Sequence, residues 1–118
     1  MSSQISSVFT LALEPQDFPA FKALVAEIVT ATLQEPGTLI YEYSVNADHT
    51  VAHIFERYRA DAVVSHIDTT FAPFAERFLS LVKITNLVVY GQPDAEVRQR
   101  LDRFGAVYME SFGGFSRI

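Results

Sequence analysis

Apolar positions along the chain recur with two periods, two residues and three to four, and the switches between them mark the elements. From Val8 to Glu14, Phe9, Leu11 and Leu13 share one face and Val8, Thr10 and Ala12 the other, which predicts a strand. Pro15 ends it, Asp17 is placed to cap a helix, and Pro19 is tolerated in a first turn. From Phe18 to Gln34 the apolar stripe runs Phe18, Phe21, Val25, Ile28 and Thr32, with Leu24, Val29 and Leu33 beside it. Lys22, Glu27 and Gln34 lie off that stripe, the pattern of an amphipathic helix. Pro36 keeps Glu35 out of the helical region, and Gly37 is free to take the positive φ of a tight exit.

Alternation resumes from Thr38 to Val45, turn chemistry follows in Asn46-Ala47-Asp48-His49, and Thr50 to Arg57 or Tyr58 alternates again. An even hairpin loop pairs Val45 with Thr50, Tyr43 with Ala52, Tyr41 with Ile54 and Leu39 with Glu56. Leu39, Tyr41, Tyr43, Val45, Ala52, Ile54 and Tyr58 then share one face. Ile40, Glu42, Ser44, Val51, His53, Phe55 and Arg57 share the other, with Glu42 across from His53. Beyond Asp61, a second cap, Val63, Val64, Ile67, Phe71, Phe74 and Phe78 have helical spacing. Pro73 lies inside that pattern and should break it near Thr69-Thr70 into two short pieces. Lys83 to Gly91 reads as a last central strand, apolar on both faces.

The order is β-α-β-β-α-β, an α+β, ferredoxin-like arrangement with an antiparallel sheet. Two helices cover one face only, and the uncovered face still carries Ile40, Val51 and Phe55. A symmetric partner, sheet face to sheet face, is the expected cover, so a homodimer is predicted. A tail over residues 93–118 follows the core of about 8–90, with Asp94 capping a short helix that turns Val97 and Leu101 inward. Phe104 to Phe112 reads as extended, and the tail's four aromatics are expected to dock, on this chain or on the partner subunit.

At 118 residues the chain is one domain, and 49% hydrophobic residues suffice for a core. It has no cysteine, which excludes disulfides and thiolate metal sites and fits a reducing cytoplasm. A net charge of −5 with nine scattered basic residues argues against nucleic acid. No apolar run is long enough to span a membrane, and the start lacks the pattern of a signal peptide.

Several residues could carry chemistry. Tyr41, Tyr43 and Tyr58 share the helix-facing side, as orienting hydroxyls or as core rings. Asn86 is a lone amide in an apolar strand, either a donor to a ligand or the partner of a loop. Phe71 and Phe74 either wall a site or fill the core together with Phe78. His53 with Glu42 makes a proton relay or a plain cross-strand contact, and His49 sits in a solvated turn. The three histidines have no metal-ligand spacing.

The run Glu35-Pro36-Gly37-Thr38-Leu39-Ile40-Tyr41-Glu42 comes first, then Phe55-Glu56-Arg57-Tyr58, then Ala62 to His66 with Phe71 and Phe74. In that order and spacing these blocks resemble the antibiotic biosynthesis monooxygenase family of the dimeric α/β-barrel superfamily. The resemblance implies a pocket between sheet and helices in each subunit of a homodimer. It implies oxidation of a small or medium aromatic quinol by O₂, with no flavin, metal or haem as cofactor. It places His66 at the family's helix-two histidine and so makes it the candidate base. The chain departs from the family at Tyr58, where Trp is frequent, near Thr70, where a second His is frequent, and in lacking a first-strand Asn. Other chemistry of the superfamily, isomerase or haem-degrading, and a non-catalytic binding module stay open. A cavity between Tyr41 and Phe71 with His66 on its wall favours the enzyme readings.

Overall fold

The protein is described here over residues 4–117 of a computed structural model. Strand β1 (Gln4–Leu13) starts four residues before the apolar alternation does. Ile5 and Ser7 continue the inward face of Phe9, Leu11 and Leu13, but the hydroxyl of Ser7 hides that continuity from a hydropathy pattern. A turn of 3₁₀ helix at Pro15–Asp17 leads into α1 (Phe18–Thr32), and the Asp17 side chain makes no capping bond. The buried stripe of α1 is Phe21, Leu24, Ile28 and Thr32. Val29 and Leu33, expected beside it, face outward.

Strands β2 (Thr38–Val45) and β3 (Val51–Arg59) form the hairpin in a register two residues away from the one expected. Val45 pairs with Ala52, Tyr43 with Ile54 and Tyr41 with Glu56. The cause is the Asn46 side chain, whose Oδ1 accepts from the backbone N–H of Thr50 at 3.0 Å and of Val51 at 2.9 Å. That keeps Thr50 in the loop, while His49 takes φ 61° and its ring stacks on Phe18 at 4.1 Å. His49 is therefore held against α1 rather than free in solvent. A two-residue slip preserves the faces. It does dissolve the supposed relay, because Glu42 pairs with Phe55 and His53 with Ser44. An irregularity between Thr38 and Ile40 turns Leu39 outward.

Gly37 is required for a different reason from the one its type implied. The positive φ values among the described residues belong to His49, Gly91, Gly105 and Gly114. A Cβ on Gly37 would instead lie 2.5 Å from Cβ of Ala62, so the loop after α1 and the start of the second helical segment touch there.

That segment is broken where Pro73 required it, though in more pieces than two. Helix α2 (Val63–Ser65) passes into a π-helical stretch over His66–Phe71, a 3₁₀ turn over Ala72–Phe74, and α3 (Ala75–Leu81). Strand β4 (Val82–Tyr90) follows, then α4 (Ala95–Leu101) and β5 (Val107–Met109). Asp94 caps α4 by accepting from the Val97 N–H at 3.0 Å, and Val97 and Leu101 are buried as expected.

The sheet order is β2-β3-β1-β4-β5, antiparallel except for β5, which runs parallel to β4. It is the ferredoxin-like arrangement with one strand added by the tail. All helices lie on one side, where Leu11, Phe21, Ile28, Ile54 and Phe78 form one cluster and Ile5, Tyr58, Leu87, Val89 and Leu101 another. On the opposite side the cross-strand row Glu42, Phe55, Val8, Val88, Val107 runs across all five strands. Phe55 and Val107 on that row are exposed. In the tail, Phe104 meets Phe9 edge to face at 5.9 Å, whereas Phe112 and Phe115 are exposed rather than docked.

Candidate active site

Between the sheet and the broken helix lies a cavity with about 50 Å³ open to water-sized molecules, within a void of about 630 Å³ that includes its mouth. Its floor is Ile5, Ser7, Phe9, Ile54, Glu56 and Tyr58 from β1 and β3. Tyr41 forms one wall; His66, Ile67 and Phe71 form the roof; Leu101 and Phe104 from the tail close the end. The lining is overwhelmingly apolar and, among the described residues, contains no Lys or Arg.

His66 is the first residue of the π-helical stretch, and single π turns often mark functional sites because they re-aim a side chain. It is buried, with its ring 5.3 Å from Tyr41 and 5.2 Å from Tyr58. Nδ1 lies 2.9 Å from Oε1 of Glu35. Glu35 is itself fixed by Thr38, whose hydroxyl donates to Oε1 at 2.9 Å, and by Thr70, whose hydroxyl donates to Oε2. The Pro36-Gly37 exit thus has a chemical consequence: it presents the Glu35 carboxylate to the imidazole. An ionised carboxylate accepts only, so the imidazole proton sits on Nδ1 and the Nε2 lone pair faces inward.

Across from Nε2, at 4.0 Å, is Oε1 of Glu56, a fully buried carboxyl that also accepts from the Tyr58 hydroxyl. Burial pushes Glu56 up to about 7; the Tyr58 bond opposes that rise and the Glu35 charge adds to it. Burial likewise holds His66 below its ordinary value, against the opposing bond to Glu35. Tyr58 is raised by burial and by Glu56. Tyr41 and Tyr43 share a hydrogen bond of 2.8 Å between their hydroxyls, and burial raises both.

Of the residues selected from the sequence, the fold brings His66, Tyr41, Tyr58 and Phe71 onto one cavity. Tyr43 reaches it only through Tyr41 and otherwise lines a shallower hollow with Phe18, Phe21 and Lys22. Phe74 packs on the main core under the Arg77 guanidinium, away from the cavity. Asn86 pairs with Thr10 and is exposed, so it is no donor to this site. A β-bulge on β1–β4 between Thr10 and Leu11 sets its side. Sequence reasoning passed over Glu35, Glu56 and Ser7. The signal for Glu56 was present: strict alternation through Ala52, Ile54 and Tyr58 puts residue 56 on the inward face.

The fold and the cavity together define a ferredoxin-like α+β domain with an apolar cavity under its helices. No protein-family model matches the chain, and no curated protein matches it. Solved structures do. MupZ from Pseudomonas fluorescens is 27% identical, with a TM-score of 0.87 over 99% of this chain and 91% of that one. A candidate antibiotic biosynthesis monooxygenase from Caulobacter crescentus is 22% identical, with a TM-score of 0.64 over 73% of this chain and 84% of that one. SnoaB, a cofactor-independent oxygenase from Streptomyces nogalater solved as a point mutant, is 13% identical, with a TM-score of 0.65 over 80% of this chain and 97% of that one. The chain has the fold of the antibiotic biosynthesis monooxygenases, and the resemblance read from its sequence holds at that level.

Proposed function

We propose that the protein is a cofactor-independent monooxygenase that oxidises a small or medium aromatic quinol or phenol with O₂. The observation that carries this reading is His66 on the wall of an apolar, aromatic-lined cavity, with a carboxylate oxygen of Glu35 behind it at 2.9 Å from Nδ1. Nε2 of His66 takes the hydroxyl proton, and Glu35 holds the tautomer and stabilises the imidazolium that forms. The electron-rich anion then reduces O₂ itself. One oxygen atom enters the ring as a new carbonyl and the other leaves as water. All four electrons come from the substrate, as in phenol + O₂ → quinone + H₂O, so no external reductant is needed. The apolar walls exclude bulk water from the anion and from any oxygen adduct. Fold likeness to SnoaB, described as a cofactor-independent oxygenase, supports the reading.

The working unit in this reading is a homodimer closed over the open sheet face, where Phe55 and Val107 are exposed. Oxygen uptake with a panel of quinols tests the chemistry. Uptake that requires the quinol and is lost in His66→Ala is the expected result. Equal turnover under nitrogen overturns it in favour of an isomerase.

A further inference from the structure

Among the described residues, two polar atoms on the cavity wall have no hydrogen-bond partner. Nε2 of His66 has no hydrogen bond, its nearest acidic oxygen being 4.0 Å away. Glu56 uses Oε1 for Tyr58 and leaves Oε2 unengaged. Among the described residues the Thr32 hydroxyl alone is both sealed and unpartnered, so these two atoms open onto the void rather than being entombed. One is an acceptor. The other is a donor whenever Glu56 carries its proton. The 4.0 Å between Nε2 and Oε1 of Glu56 is too long for a direct bond and leaves space for a ligand oxygen between the two side chains.

We propose that the cavity is a recognition site for an uncharged hydroxylated aromatic, whose O–H donates to Nε2 of His66 and whose oxygen accepts from the carboxylic acid of Glu56. The idea rests on the reading of His66 given above and adds the ligand's charge class and the second contact. A lining whose acid is Glu56, with the Glu35 charge nearby and no Lys or Arg among the described residues, makes a poor host for a carboxylate or a phosphate. The same acid serves the chemistry: once the proton has passed to His66, Glu56 is already aimed at the oxyanion. The groups facing Glu56 are Tyr58 on β3, Ser7 on β1, Tyr41 on β2, His66 on the π-helical stretch and, behind it, Glu35. Its affinity for a neutral guest therefore falls once it ionises.

The test is binding of 2-naphthol and 2-naphthoate to the full chain, followed by fluorescence from acid to mildly alkaline pH, below the range where the naphthol itself ionises. The expected outcome is naphthol binding that weakens toward roughly tenfold per unit above the Glu56 titration, with naphthoate at least about tenfold weaker throughout. Glu56→Gln keeps a donor and should abolish the fall in naphthol affinity toward alkaline pH, leaving only the loss in acid as His66 takes a proton; Tyr58→Phe should move the midpoint upward. Wild-type naphthol affinity that is flat across this range, or naphthoate binding as tight as naphthol, overturns the proposal without any variant. Naphthol binding with the expected profile but no quinol-dependent oxygen uptake leaves this site standing and removes the oxygenase. Oxygen uptake that Glu56→Gln and pH leave untouched does the reverse.

Discussion

Nδ1 of His66 is 2.9 Å from Oε1 of Glu35, although 31 residues separate them along the chain. The pair exists because α1 ends before Pro36 and α2 passes into its π-helical stretch at His66. If His66 is the base, His66→Ala should lose about 10²–10⁴ of quinol turnover while circular dichroism stays that of the parent. Glu35→Gln should lose less, roughly tenfold, because an amide oxygen still accepts from Nδ1 but brings no charge to the imidazolium. A Glu35→Gln loss as large as that of His66→Ala, at unchanged stability, would make Glu35 the base instead.

Glu56 makes stability depend on pH in a direction opposite to an ordinary paired carboxylate. Its folded value of about 7 stands above the ordinary 4.5, so the folded chain keeps a proton that the unfolded chain releases. Stability from this group is complete below pH 4.5, falls as pH rises through the window to about 7, and is level beyond it. The full effect is about 3 kcal/mol. His66 acts in the other sense, since a lowered histidine value makes stability rise with pH up to its ordinary 6.5. Comparing urea unfolding of the wild type and Glu56→Gln across pH isolates the carboxyl: the two curves should draw apart from acid to neutral pH and then run parallel. Parallel curves throughout would mean that the Glu56 carboxyl titrates alike in the folded and unfolded chain and is not raised by burial.

Close approach at Gly37 makes a sharper stability test. A methyl group there would sit 2.5 Å from Cβ of Ala62, and both neighbours are backbone-anchored. Gly37→Ala should destabilise by about 1–3 kcal/mol, the usual cost of overpacking. Adding Ala62→Gly should restore part of the loss, and a double-mutant cycle in chemical denaturation reads the coupling. Strictly additive effects would place the two residues apart.

How far the sequence disclosed this arrangement varied with the physics of each element. Period and punctuation were enough for the strand and helix order, because Pro15, Pro36 and Pro73 interrupt patterns that packing did not override. The hairpin register was not legible, since it depends on one Asn46 side chain closing a longer loop, and a slip of two leaves every face unchanged. Glu56 was overlooked for a different reason. A carboxyl reads as a surface residue until three apolar neighbours at alternate positions show that its face is the buried one. Glu35 lies outside every periodic element, so only the folded chain shows what it touches. Asn86 misled because a bulge on β1–β4 turns it to the open side.

That open side carries the last prediction. Phe55 lies beside Val8 on a row that continues to Val88 and Val107, and 45% of its surface is exposed in the single chain. A stable interface needs about 800 Å² per partner, an area that a five-stranded sheet face can supply. Phe55→Asp places a charge on that exposed row without touching the cavity on the other side. Sedimentation should give a dimer for the wild type at micromolar concentration and a monomer for the variant. Thermal unfolding of the wild type should shift upward with concentration, and that of the variant should not. The two outcomes together separate a face hidden by a second copy from one that water covers, because only the former couples assembly to a residue so far from the active site.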